Sequence, residues 1–389
     1  MRIALAGLAA LAVAMGIGRF AFTPILPMMQ QDAGLSVAGG GWLASANYLG
    51  YLAGALWAGA TRANAATAIR AGLAAIGVAT LAMALDAGFA AWAVLRVIAG
   101  VASAWVLIHT SAWCLERLAP RGLERSAPPA RPILAGVLFA GVGVGIIAAG
   151  SLCVILMAAR AGSAIAWLVL GIVSLATTVA VWSIFDFSNE KEKTFNDPHR
   201  WTWEQARLVL AYGAYGFGYI IPATFLPVMA REVVSDPAVF GWAWPVFGAA
   251  AALSTLGVAL LSGRYGNRAA WIGSQLAMAL GVAAPVFWPG IGGIVLAALC
   301  VGGTFVVITM VGLQEARTVA GPQAARLMAA MTAAFAAGQI AGPLSVSLMV
   351  SAGGGFSAAL LIASGVLVAG SGALLVTSSR SPRSRSRSC

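Results

Sequence analysis

Twelve apolar stretches, each close to the length of a membrane-crossing helix, run almost end to end through this chain of 389 residues. They are Ile3–Met29, Gly40–Ala60, Ile69–Leu85, Phe89–Trp113, Ile133–Met157, Ile165–Ile184, Leu208–Met229, Phe240–Leu261, Ala269–Phe287, Ile291–Leu313, Leu327–Val350 and Phe356–Val376. A spanning helix needs about 20 consecutive apolar residues. Only 9% of the residues are charged and 60% are hydrophobic, whereas soluble domains carry about 25% charge. A soluble fold of this length has no core able to hide so much apolar surface. A disordered chain would be polar and charged. The 47 glycines follow no Gly-X-Y period, which excludes collagen. What remains is an all-α polytopic membrane protein with twelve transmembrane helices.

The basic residues set the expected topology. With the N-terminus inside, all Lys and Arg of the loops and tails fall on the cytoplasmic side except Arg160 and Arg231. An odd number of spans would scramble that bias, which the positive-inside rule predicts. Both termini are therefore expected in the cytoplasm of a bacterium whose inner membrane holds the protein. Arg2 followed by an apolar run resembles a signal peptide, but Arg19 and further apolar sequence follow without a polar mature start. The segment reads as a retained first span. The net charge of +11 is first a topology signal. The basic tail at 378–389, SRSPRSRSRSC in its last residues, reads as a cytoplasmic retention charge rather than a nucleic-acid site.

Asp186–Arg207 is the longest polar stretch and reads as a linker at 186–207 between an N-terminal half at 1–185 and a C-terminal half at 208–377. Trp201 and Trp203 beside it read as interfacial anchors. The halves are related. At an offset of 200 residues, GIGRFAFTPILPMM (Gly16–Met29) lies over GFGYIIPATFLPVM (Gly216–Met229). Gly41-Trp42 meets Gly241-Trp242, Val106 and Ile108 meet Val306 and Ile308, and Arg117 meets Arg317, all without a gap. Six spans per half is an even number, so both halves start from the same side. Such parallel repeats are the arrangement of carriers that rock two bodies about a central site.

On these residues the chain resembles the major facilitator superfamily, and its first two spans are similar to the YbfB/YjiJ group. The resemblance is carried by Gly16–Met29 and by ANYLGYLAGAL (Ala46–Leu56), and extends through all twelve spans. Arg96 and Gly100 in RVIAG are similar to the superfamily's Arg-x-x-x-Gly pattern in span four. The loop after span two, ATRANAATAIR, lacks the acid of the superfamily's loop signature. The matching loop SGRYGNR keeps Arg264, Gly266 and Arg268, again without the acid. Gly338, Gly342 and Pro343 in span eleven are similar to a Gly-Pro signature associated with antiporters. The resemblance implies a cavity lined by spans one, four, seven and ten.

An ionisable residue inside a bilayer costs at least about 2.5 kcal/mol on insertion scales, so each needs a reason. Arg19 and Arg96 lie within spans, and no Asp or Glu lies at comparable depth. Two cations without a membrane acid favour an anionic substrate, since guanidinium forks bind carboxylates bidentately. Arg96 has a second reading, in which it bonds backbone carbonyls. Tyr212, Tyr215 and Tyr219 share one face of span seven, and Tyr219 is the repeat counterpart of Arg19. A tyrosine face opposite an arginine suits an organic anion with an apolar or aromatic body; the other reading is a lipid-facing stripe. Asn47 with Tyr51, and Thr332 with Gln339, form smaller polar patches that suit ligand contact or interhelical bonding. His109 is the one histidine within a span and is a coupling candidate, as are the gating candidates Arg96, Arg264 and Arg268. Pro24, Pro27, Pro222 and Pro227 bend spans one and seven near their outer ends.

The expected function is secondary or facilitative transport of a small, organic anion by alternating access, in a monomer. The runner-up is efflux of hydrophobic compounds. An intramembrane enzyme would need clustered His, Asp or Glu within spans, which the sequence lacks. The four cysteines and two histidines have no metal-site or disulfide spacing, so no metal or cofactor is expected. No G-x-x-x-x-G-K-[ST] motif occurs, which excludes direct ATP drive by this chain.

Overall fold

The computed structural model describes residues 1–61, 63–119, 131–185, 201–233, 237–351 and 356–375, and they are helical throughout apart from short turns. Helix α1 is Arg2–Asp32, α2 Val37–Ala60, α3 Ala65–Ala82, α4 Phe89–Arg117, α5 Pro132–Ala158 and α6 Ser163–Val181. The second half begins with α7, Trp203–Val233. The next stretch, Pro237–Phe287, is broken at Gly266, whose φ of 79° reverses the chain. It makes α8 (237–265) and α9 (267–287). Then come α10 (Ile291–Ala320), a 3₁₀ turn at Gly321–Gln323, α11 (Ala324–Ser351) and α12 (Phe356–Leu375). Among the described residues the fold is the expected one, with twelve helices in two parallel six-helix repeats.

Local chemistry starts these helices where polar residues interrupt the apolar runs. Ser36 caps α2 by accepting from Gly39 N at 3.0 Å, and Asn64 caps α3 by accepting from Thr67 N at 3.1 Å. Thr202 and Gln205 form a reciprocal capping box at the start of α7, each backbone N–H donating to the other's side chain at 3.2 Å. That helix begins inside the segment expected as linker at 186–207. Residues 186–200, Arg62, Arg121, Arg125 and the basic tail lie outside the described residues, as does the side chain of Arg231. Trp201 and Trp203 are exposed, as anchors at a membrane surface would be.

Most of the helices are apolar and long enough to cross a bilayer by length and composition. Helices α2 and α7 each interleave Gly and Tyr with their apolar residues. These two helices contribute Tyr51, Tyr212, Tyr215 and Tyr219 to the interior. Helices α4 and α10 run past the ends expected for them, to Arg117 and Ala320.

Close packing within each half depends on paired glycines. A methyl at Gly141 or Gly145 of α5 would collide with the carbonyls of Leu8 and Ala12 in α1, and Gly16 abuts Gly145. In the second half Gly338 of α11 lies against Gly213 and Phe217 of α7, and Gly216 lies against Phe335. The α1–α5 contact is thus repeated as α7–α11, which is what a duplicated bundle requires. Gly41-Trp42 and its counterpart share the same environment on one measurable point: Trp42 and Trp242 are both exposed on the outer surface.

The halves meet along α5 and α8. Gly136 faces Ala259, Gly143 faces Ala252 and Gly150 faces Pro245. The contacts step by seven residues on each helix in opposite chain directions, the pattern of two antiparallel helices crossing at a shallow angle. Gly59 of α2 approaches Ala329 of α11 on the other side of the same interface. A cavity lies between these two seams.

Candidate functional site

Helix α1 leaves α geometry where the site forms, winding as a π-helix over Ala12–Phe20. Such segments widen the turn and are frequent at functional positions. Regular helix resumes at Phe22, and Pro24 has no N–H to donate to Phe20, the last residue of the π segment. The carbonyls of the π segment are taken up by side chains from α2 and α4. Ser103 Oγ donates to Ala14 O at 2.8 Å. Arg96 Nη1 donates to Gly18 O and Nη2 to Arg19 O, both at 3.3 Å. Asn47 Nδ2 donates to Arg96 O at 3.0 Å and to Gly18 O at 3.5 Å.

Arg96 and Asn47 therefore brace the segment that carries Arg19. The Arg96 guanidinium also sits 4.7 Å over the Phe22 ring. Its hydrogen bonds point to backbone, in line with the second of the two readings of this residue. Arg96 and Ser103, seven residues apart on α4, act on the same stretch of α1, as their shared face implies.

Arg19 is placed differently. It is 4% exposed, and its Nη2 donates to the Gln339 amide oxygen of α11, across the two halves. Its Nε and Nη1 have no hydrogen-bond partner among the described residues. Four rings surround the guanidinium carbon: Tyr51 at 4.0 Å, Tyr48 at 5.5 Å, and Phe20 and Phe335 at 5.6 Å. Cation–π attraction partly compensates such a charge. No residue lining the cavity is acidic.

The cavity is bounded by Arg19, Phe20 and Met15 of α1, Tyr51 of α2, Leu107 of α4 and Val142 of α5 from the first half. The second half supplies Tyr212, Tyr215 and Tyr219 of α7, Phe305, Val306 and Thr309 of α10, and Phe335 of α11. The three tyrosines thus face the interior and not lipid. Tyr215 Oη donates to Phe305 O at 2.7 Å and lies 3.3 Å from Thr309 Oγ1. Tyr212 packs edge-on against Trp271. Tyr219 stacks on Phe305 with centroids 5.4 Å apart. About 20 Å³ of free space remains, room for one water. Pockets that hold drug-sized ligands start near 300 Å³. The cavity as it stands has no room for an organic solute.

The remaining candidates lie elsewhere. His109 is buried against Trp105, with ring centroids 5.8 Å apart, and its Nε2 has no partner among the described residues. It does not line the cavity. Arg268, just past the Gly266 reversal, bonds Glu204 at 2.6 Å and Glu315 at 3.1 Å. It thereby ties the start of α7 to the end of α10. The Arg264 side chain lies outside the described residues. Thr332 bonds the carbonyl of Met328 in its own helix. Sequence reasoning did not single out Tyr48, Phe20, Phe305, Phe335 or Thr309. Thr309 and His109 are repeat counterparts, and Phe305 lies four residues before Thr309 on α10, so only their position on that helix pointed to them. Among the described residues no group of His, Cys, Asp and Glu could hold a metal ion.

Comparison with known proteins agrees with this architecture. The human organic anion transporter MFSD10 (TETRAN) has a similar structure, with a TM-score of 0.75 and 16% identity over 96% of this chain and 99% of that one. FucP, a major facilitator transporter solved in the outward conformation, gives a TM-score of 0.71 at 15% identity, over 96% of this chain and 99% of its own. At such identities the likeness establishes the fold alone. A search of curated protein sequences finds no match. The sequence model of the family described as "uncharacterised MFS-type transporter YbfB" matches residues 11–375. With two six-helix repeats closing on one buried central cavity, the chain belongs to that family of major facilitator transporters.

Proposed function

We propose that this transporter moves a small organic anion across the bacterial inner membrane by alternating access, with Arg19 as the anchor of the anion. One observation carries the reading: a guanidinium buried between the halves, with two N–H edges unpartnered and no acid lining its cavity. A buried charge without a counter-ion costs several kcal/mol, and an anionic ligand relieves that cost on binding. Tyr51, Tyr212, Tyr215, Tyr219 and Gln339 contact the ligand, while Arg96 and Asn47 hold the backbone that presents Arg19. That MFSD10 is an organic anion transporter is consistent with this assignment.

Both termini face the cytoplasm in this reading, on the strength of the basic loops, and the monomer is the working unit. With no acid in the cavity lining, the driving force comes from anion exchange, from the substrate's own proton, or from His109. Arg268, with Glu204 and Glu315, acts as a tie on the cytoplasmic face that holds α7 and α10 together while the halves rock.

Thermal unfolding of the purified protein with organic anions, cations and neutral solutes, alongside Arg19→Ala, tests the reading. A ligand at about 100 times its dissociation constant adds about 2.7 kcal/mol. Anions should stabilise the native protein and leave the variant unmoved. The aromatic lining favours a second reading, efflux of hydrophobic compounds. Stabilisation by hydrophobic cations alone, equal in the variant, would select it.

A further inference from the structure

We infer that the ligand is an aromatic monoanion whose single carboxylate takes the place of the Gln339 amide on Arg19. The inference rests on the organic-anion reading above and narrows it to charge number, body shape and point of attachment. Charge number follows from what each arginine already bonds. The fork of Arg96 is spent on the carbonyls of Gly18 and Arg19. Only Nε of Arg96 lacks a partner, and Arg96 does not line the cavity, so Arg19 is the one cation that the cavity lining presents. A second negative charge would lie against ring faces, whose quadrupole is negative.

The point of attachment follows from Gln339. An amide oxygen is the neutral counterpart of a carboxylate oxygen, and the second half places one on Nη2 of Arg19. A carboxylate offers two oxygens where the amide offers one: one oxygen takes Nη2 and the other takes the free Nε or the free Nη1 of Arg19, a bidentate pair. The incoming anion therefore breaks a bond between the halves as it binds. Body shape follows from the second half. Phe247 stacks on Phe305 at an interplanar angle of 18°, and Phe305 stacks on Tyr219 at 18°. Tyr219 in turn stacks on Phe335 at 26°. Near-parallel ring faces favour a flat ring laid among them. The first half thus supplies the charge and the second the flat apolar surface, and a ligand with a carboxylate at one end and a ring at the other joins them.

The test measures binding to the full-length protein by calorimetry with benzoate, terephthalate, cyclohexanecarboxylate, benzamide and benzylamine. Benzoate should bind at least 10-fold more tightly than the planar dianion, the saturated monoanion or the neutral amide. Gln339→Glu fixes a carboxylate on Arg19 and should weaken benzoate at least 10-fold, whereas Gln339→Ala removes the competitor and should bind benzoate as tightly or more so. If terephthalate or cyclohexanecarboxylate binds as well as benzoate, the inference falls while the organic-anion reading stands. It also falls if Gln339→Glu binds benzoate like the native protein. Should that variant not fold, a 10-fold loss in Gln339→Ala overturns it instead. Binding of benzamide or of benzylamine in preference to every anion overturns both readings.

Discussion

Replacing Arg19 by methionine should make the unliganded protein more stable while abolishing its response to anions. The substitution removes one hydrogen bond to Gln339 from a charged donor, about 1.5–3 kcal/mol, and leaves the amide oxygen unpaired. It also removes the cation–π contact with Tyr51 at 4.0 Å, about 2 kcal/mol where desolvated. The three rings at 5.5–5.6 Å lie near the limit of that interaction and add little. Against this stand two unpaired guanidinium nitrogens, Nε and Nη1, at about 1–3 kcal/mol each, and the desolvation of an ion without a counter-ion, several kcal/mol. Methionine fills similar space and adapts to irregular gaps. Replacing buried ions by packed apolar residues gains about 1–4 kcal/mol in comparable cases, and that is the expected range here. Thermal unfolding in detergent, with and without benzoate, measures both effects. A variant destabilised by more than about 2 kcal/mol that still responds to benzoate would refute the reasoning and make Arg19 a packing element.

Three further outcomes follow from the packing and the polar contacts. Ser103→Ala leaves the Ala14 carbonyl without its donor and should cost about 1–3 kcal/mol in thermal unfolding, with anion selectivity unchanged. Gly145→Val forces a side chain into the Ala12 carbonyl and Gly16, and should cost at least about 1–3 kcal/mol, visible as loss of folded protein on size-exclusion chromatography. Arg268→Ala breaks two ion pairs that are partly open to solvent, so its stability cost should stay under about 1 kcal/mol per pair and shrink in high salt.

The fold was legible in the sequence because the bilayer is a severe solvent. Every backbone group has to be satisfied within a helix, so apolar length and basic loops nearly determine the architecture. The duplication was legible for a related reason: close helix contacts need glycine at fixed positions, and Gly16 and Gly216 serve the α1–α5 and α7–α11 contacts. Sequence placed Arg19 and the three tyrosines together because repeat symmetry set Tyr219 opposite Arg19, and the cavity contains both.

What the sequence did not carry lies in tertiary contacts. Ala12–Phe20 contains no residue that specifies π winding, which becomes visible only with Ser103, Asn47 and Arg96 on its carbonyls. Charge alone could not distinguish Arg96 from Arg19; the difference is whether carbonyls lie within reach of the fork. Phe335 and Gln339 on α11 come to Arg19 from more than 300 residues away, and no local pattern marks them. The Glu204–Arg268–Glu315 tie joins three helix ends for the same reason.

Exchange of labelled benzenesulfonate across proteoliposomes preloaded with the unlabelled anion tests the central claim most directly. The neutral acid of benzoate crosses bilayers unaided, whereas the sulfonate stays charged and keeps the background low. The native protein should exchange the label well above protein-free vesicles, and Arg19→Met should fall to that background while remaining folded. Exchange that is absent in the native protein, or that survives intact in Arg19→Met, would contradict an anion carrier built around Arg19.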